Sequence, residues 1–252
     1  MPANGFTFEI QFNFLKHRLE VLTSNGKKKR FKLKDGLSVA DFYTKTFKIL
    51  NKLGIKAKII AAPYSIPDAN PITTPFVQLT KYHSYNAEYV RRFWETLVFT
   101  ANVFTEFSGR FYGKTSPVQL YWHHMDLVVT RFCGRRAPKL PAESNIANKD
   151  AYSHEVVSFG FWAGDENVRG AAYYSYTYPS PPKLDKEPLE PTAAKWQEAN
   201  GSPMAILMYD DLRDDINPRK ALLDFLDSTY RAGAKLCKWK MKDLDVPPLK
   251  EM

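Results

Sequence analysis

Residues 6–14, FTFEIQFNF, alternate strictly between apolar and polar and place Phe6, Phe8, Ile10, Phe12 and Phe14 on one face of a strand. RLEVLT (18–23) and RFKLK (30–34) continue the two-residue period, and Asn25-Gly26 between them is a strong hairpin turn. The chain therefore opens as a three-stranded meander. At Ser38 the period lengthens to that of a helix. Ser38 is placed to cap it with Asp41 three residues on, Val39, Phe42, Tyr43, Phe47, Leu50 and Leu53 form the apolar stripe, and Gly54 stops it. KAKIIAA (56–62) reads as a strand, and the proline-containing stretch of about 63–81 as an internal loop.

Asn86 is placed to cap a long helix over 87–112, with Val90, Phe93, Leu97, Ala101, Phe104, Phe107 and Phe111 at helical spacing. A paired-strand region follows: PVQLYW (117–122), DLVVTRF (126–132), HEVVSFGFW (154–162) and AAYYSYTY (171–178), with a loop over 134–150. A second proline-rich connector spans about 179–191, and PMAILMY (203–209) reads as a short buried strand. Asn217-Pro218 starts the last helix, with Leu222, Phe225, Leu226, Thr229 and Tyr230 inward. This order predicts one α+β domain over 1–252, with a mostly antiparallel sheet, a long central helix and two further helices.

Composition narrows the class. Of 252 residues, 44% are hydrophobic and 14% aromatic, a balance that suits a sheet-rich globular core. No apolar run is long enough to span a bilayer, and the first residues lack the pattern of a secretory signal. Two cysteines make no disulfide framework, so a cytoplasmic setting is expected. The net charge of +9 is concentrated: residues 1–60 hold 13 Lys+Arg against 4 Asp+Glu, and the remainder holds 23 of each. The excess centres on the hairpin at 24–34. Its bland reading is a solvated tip with lysines guarding an edge strand. The rival is a polyanion-binding surface, but no nucleic-acid motif accompanies it, and nucleic acid is not the expected partner.

Candidate chemistry lies further along. SGRFYGKTS (108–116) mimics a phosphate loop, but only three residues separate Gly109 from Gly113, and Pro117 stands where the following helix would begin. No other cofactor motif is present. The stretch YWHHMDLVVTRFCGRRAP (121–138) gathers His123, His124, Asp126 and Arg131. Adjacent histidines on a strand face opposite ways, and no helical or C-x-x-C spacing supports a metal, so none is expected at His123, His124, Asp126, His154 or Glu155. Arg131 lies between apolar neighbours on both faces of its strand and must be paired. Asp126 and Glu155 are the candidate carboxylates. Trp162 shares a strand face with His154, and Tyr174, Tyr176 and Tyr178 form a ladder on the next predicted strand.

These blocks, SPVQLYW, MDLVVTRFCGRRAP, AYSHEVVSFGFWAG, YYSYTYPSPP and LLDFLDSTY, resemble an uncharacterised bacterial family known only as a domain of unknown function. The resemblance runs over nearly the whole chain. It implies weight on Asp126, Arg131, Gly134, Arg135, His154, Glu155 and Trp162, and assigns no activity.

The leading expectation is a small-molecule pocket for an anionic or polar ligand, with no cofactor. Its catalytic candidates are His154 as acid or base, with Glu155 or Asp126 beside it. Its binding candidates are Arg131, Arg135, Trp162, Tyr174 and Tyr176. The alternative is a non-catalytic interaction protein working through the 24–34 hairpin.

Overall fold

The computed structural model describes residues 1–63, 74–122, 124–166, 168–199 and 201–247. The chain divides into two compact units, Met1–Thr96 and Leu97–Met252.

In the first unit, strands β1 (Pro2–Ala3), β2 (Phe6–Asn13), β3 (Arg18–Thr23) and β4 (Lys28–Lys32) pair antiparallel in chain order. Phe8 opposes Thr23, Ile10 opposes Val21, and Leu19 opposes both Phe12 and Phe31, so the alternating apolar residues share one face. Helix α1 (Val39–Lys52) supplies Ile49 and Leu50 to the core built on Phe8, Leu19, Val21, Leu33, Leu53 and Ile55. Its ends are as the sequence predicts. Ser38 Oγ accepts from the Asp41 amide at 3.0 Å, and Gly54 adopts φ +78°, a left-handed conformation that suits glycine. The predicted strand at 56–62 does not form. Its alternation breaks at Ile59-Ile60, both exposed, and Ile55 N instead closes the end of α1 on Leu50 O at 3.0 Å. Of the predicted loop at 63–81, residues 64–73 lie outside the described residues, and Phe76–Gln78 forms one 3-10 turn.

Helix α2 (Ala87–Gly109) begins with Asn86 Oδ1 accepting from the Tyr89 amide at 2.9 Å. Its first ten residues belong to the first unit and the rest to the second. It ends three residues before the predicted 112, because Phe111 pairs with Asp245 and Tyr112 N donates to Leu244 O at 2.7 Å.

The second unit is built on a seven-stranded antiparallel sheet: β5 (Lys114–Thr115), β6 (Gln119–Tyr121), β7 (Asp126–Arg136), β8 (His154–Trp162), β9 (Ala172–Tyr178), β10 (Lys195–Ala199) and β11 (Ser202–Met208). The order is β10-β11-β9-β8-β7-β5, with β6 also on β7. Helix α3 (Ile146–Ala151) interrupts the predicted loop after β7, and α4 (Tyr209–Arg213), α5 (Pro218–Leu236) and α6 (Met241–Leu244) follow the sheet. Strand β10 was not predicted, although KWQEA precedes Asn200-Gly201, a hairpin signal of the same kind as Asn25-Gly26.

Register sorts the side chains. Leu127, Val129 and Arg131 of β7 share a face with Val157, Phe159 and Phe161 of β8 and with Tyr173, Ser175 and Thr177 of β9. Helices cover this face. Phe107 of α2 packs edge-on to Phe159 at 4.8 Å between centroids, and α5 approaches so closely at Gly233 that a Cβ there would lie 2.2 Å from Thr177 Oγ1. The predicted inward residues of α5, Leu222, Phe225, Leu226, Thr229 and Tyr230, are all buried. The fold is α+β with antiparallel sheets, as the sequence predicts, and the described residues form three short helices beyond the three expected. No helix among the described residues is long and apolar enough to cross a membrane.

Candidate functional site

The opposite face of the large sheet carries Asp126, Val128 and Thr130 of β7, Ser158, Gly160 and Trp162 of β8, and Tyr174, Tyr176 and Tyr178 of β9. Gly160 sits between Val128 and Tyr174 in the register. With no side chain there, the Tyr174 ring lies across β8: a Cβ on Gly160 would be 2.2 Å from Tyr174 Cζ. The Tyr174 hydroxyl thereby reaches two strands over and donates to Asp126 Oδ2 at 2.5 Å. The other oxygen, Asp126 Oδ1, is buried without a hydrogen-bond partner among the described residues.

Around this bond the rings stand at differing angles. Trp162 meets Tyr174 edge-on (5.2 Å, 73°), while Tyr174 and Tyr176 are nearly parallel (6.2 Å, 9°). Tyr152, just after α3, folds over the sheet with its hydroxyl 3.0 Å from that of Tyr176 and its ring 4.9 Å from Tyr178. Beneath them Thr130 and Ser158 share a hydrogen bond of 2.9 Å. The result is a concavity of about 600 Å³. Its wall is completed by His124, Asp165 and the start of β11 at Ser202, Pro203 and Met204. Burial pushes the Tyr174 hydroxyl well above the usual phenol range, and the Asp126 carboxylate adds to the effect; burial, with Tyr152 beside it, does the same to Tyr176. Both are therefore neutral phenols at physiological pH.

Four expected residues, Asp126, Trp162, Tyr174 and Tyr176, meet here. The others do not. His154 and Glu155 lie at the far end of β8, eight and seven residues from Trp162, or about 26 and 23 Å at the rise of a strand. The expected catalytic grouping of His154, Glu155 and Asp126 is therefore not one constellation. His154 Nδ1 contacts Ser153 Oγ at 3.0 Å, and the ring lines a smaller hollow of about 290 Å³ with Lys114, Phe132 and Cys133. Glu155 Oε2 accepts from Arg135 at 2.6 Å and from Trp239 Nε1 at 2.9 Å, with Cys133 Sγ at 3.6 Å. Arg135 also donates to the Cys237 carbonyl, so it is held inside the protein's own network. His123 lies outside the described residues. Among those described, no group of three or more His, Cys, Asp and Glu is placed to hold a metal ion.

Arg131 corrects the expectation most. It is 1% exposed, as the strand pattern implies, but among the described residues no carboxylate bonds to it; its bond is to a carbonyl. Asp126 is an odd number of residues away and so faces the other side of the sheet. Glu155 is engaged by Arg135 and Trp239. The guanidinium instead stacks on Phe107 at 3.5 Å, with Tyr230 at 4.4 Å and Phe111 at 4.9 Å, and donates to Phe107 O at 2.5 Å. That carbonyl is in the last turn of α2, where the free carbonyls and the helix dipole favour a cation. Burial lowers the Arg131 pKa to about 10, with Tyr230, Asp227 and Asp245 acting against it, so the charge persists at neutral pH. Arg131 is a buried helix cap and cannot reach the aromatic concavity on the other face.

No periodic signal in the sequence marks Tyr152, Asp165 or Met204 as wall residues. Tyr152 precedes a strand, and Met204 is near the start of one whose apolar run PMAILM does not alternate. Only the Asn200-Gly201 turn would have marked the β10–β11 hairpin that brings Met204 to the wall.

The chain is thus an α+β protein whose larger sheet carries an aromatic concavity on the face turned away from its packed helices. It belongs to the family of unknown function DUF5996, whose model matches residues 1–246. No curated protein and no solved structure matches it.

Proposed function

We propose that the protein binds a small polar molecule in the concavity bounded by Asp126, Tyr152, Trp162, Tyr174 and Tyr176. The observation that carries this reading is a concavity of about 600 Å³ walled by aromatic rings with a carboxylate set among them. Volumes of this order, apolar walls and a few fixed polar groups are what small-molecule sites share. The ring orientations are also fixed from below. Gly160 lets Tyr174 lie across the sheet, and the Tyr174–Asp126 and Tyr152–Tyr176 bonds hold the rings in place before a ligand arrives. Acid–base catalysis by His154 is not part of the proposal, because that ring is at the other end of β8.

The test is a titration of the isotope-labelled protein with a library of small polar compounds, followed by NMR of the aromatic side chains. Binding compounds are expected to move the Trp162 indole and the Tyr174 and Tyr176 rings first. Shifts confined to other surfaces, such as the hollow beside His154, would refute the reading.

A further inference from the structure

The chemistry of the wall specifies the charge of what it binds. We infer that the ligand is a small organic cation, an ammonium compound held over the tyrosine and tryptophan faces beside Asp126; this rests on the binding reading above.

Three observations converge. First, most of the donor capacity of the central tyrosines is already spent: Tyr174 donates to Asp126, and one of the Tyr152 and Tyr176 hydroxyls donates to the other. What the tyrosines still offer is their ring faces, which carry the negative side of the aromatic quadrupole and attract cations. Second, the described residues of the wall include two carboxylates, Asp126 and Asp165, and neither lysine nor arginine. Among the wall's described residues His124 is the one imidazole. Third, Asp126 Oδ1 is buried with no hydrogen-bond donor among the described residues, so its carboxylate is only half satisfied. A cation in the concavity supplies the missing positive charge through space, at a site where low dielectric strengthens the attraction. An anion there would face both the carboxylates and the ring faces. The expectation of an anionic ligand rested on Arg131 and Arg135; Arg131 lies on the other face of the sheet, and Arg135 is bound to Glu155.

A charge series on one carbon skeleton tests the inference. The probes are 3-methylbutylammonium, the neutral 3-methyl-1-butanol and the anion 3-methylbutanoate, titrated by calorimetry into the full chain with Trp162 followed by NMR. The ammonium is expected to bind at least about tenfold more tightly than the alcohol, and the carboxylate most weakly. Asp126→Asn and Tyr176→Leu, each first checked for an unchanged melting temperature, should each weaken the ammonium by about fivefold or more and narrow its advantage over the alcohol. If either weakened variant melts early, Tyr176→Phe, which keeps the ring face, should retain ammonium binding. Equal or tighter binding of the alcohol or the carboxylate at Trp162 would overturn the cation assignment and leave the binding site standing. Ammonium binding that ignores both substitutions, or no binding by any of the three, would overturn the assignment as well; the wider compound titration then decides the binding reading by itself.

Discussion

The ring of Tyr174 occupies the space that a side chain at Gly160 would fill, with the two residues directly opposed on neighbouring strands. Gly160→Ala is therefore expected to lift Tyr174 off the sheet, break its bond to Asp126 and destabilise the fold by about 1–3 kcal/mol, the usual cost of overpacking. Combining it with Tyr174→Ser, which removes the obstructing ring, should restore much of that loss. Urea denaturation of the two single variants and the double variant measures the coupling. Additive losses would show that the ring does not depend on the glycine.

Arg131 is expected to tolerate an apolar replacement. Since no carboxylate among the described residues bonds to it, Arg131→Met strands no opposite charge there, and the lost stacking and carbonyl bond are offset by the desolvation that methionine avoids. We expect a cost of about 1–2 kcal/mol for Arg131→Met and about 3 kcal/mol or more for Arg131→Ala, which leaves a cavity. The midpoints of urea unfolding separate the cases. A methionine variant as unstable as the alanine variant would point to a charge requirement that this packing lacks.

At the other end of β8, Glu155 serves two nitrogen donors of unequal burial. Arg135 is half exposed, while Trp239 is 6% exposed and depends on Glu155 for its indole N–H bond. Removing Arg135 loses a partly screened ion pair, below about 1 kcal/mol. Removing Glu155 strands a buried donor, about 1–3 kcal/mol. Glu155→Ala should therefore destabilise more than Arg135→Ala in thermal and urea unfolding. The reverse order would contradict the assignment.

Acid should weaken the first unit through Glu20. Burial raises its pKa, but hydrogen bonds from Lys28 and Asn13 and the nearby Arg18 charge outweigh that and leave it below the ordinary carboxylate value of 4.5. A carboxylate depressed in the folded state stabilises above its unfolded pKa, and that contribution is lost as pH falls through the folded value. The stability advantage of the wild type over Glu20→Gln is expected to be full near neutrality and to shrink below about pH 4.5. An advantage unchanged down to pH 3 would refute this.

The basic hairpin is expected to bind polyanions only weakly. Lys28, Lys29, Arg30 and Lys32 lie exposed on β4, an edge strand of its sheet, where charged side chains guard against further pairing. Tight DNA binding at physiological salt with a steep salt dependence would instead favour an interaction surface.

What the sequence made legible follows from periodicity. FTFEIQFNF, the capped helix from Ser38 and HEVVSFGFW carry long, unbroken periods, and the structure has the corresponding elements. Alternation also placed Trp162, Tyr174 and Tyr176 within reach of one another. It could not show which face of Arg131 meets a helix, because LVVTRF is apolar on both sides. The odd spacing of Asp126 and Arg131 does put them on opposite faces of a strand, but alternation could not show that the two sides of the sheet are differently covered. Strand β10 escaped because KWQEA is too short and polar to announce itself, and with it went the wall at Met204. Glu155 and Trp239 are 84 residues apart, and no local pattern joins them.

The most direct test of the binding site is native mass spectrometry after the chain is equilibrated with a whole extract of small metabolites. Wild type and an Arg135→Ala control are expected to retain the same small molecule at about one per chain, while Trp162→Ala, with its fold checked by circular dichroism, loses it. Retention undiminished in Trp162→Ala, or no retained molecule on the wild type, would contradict the account.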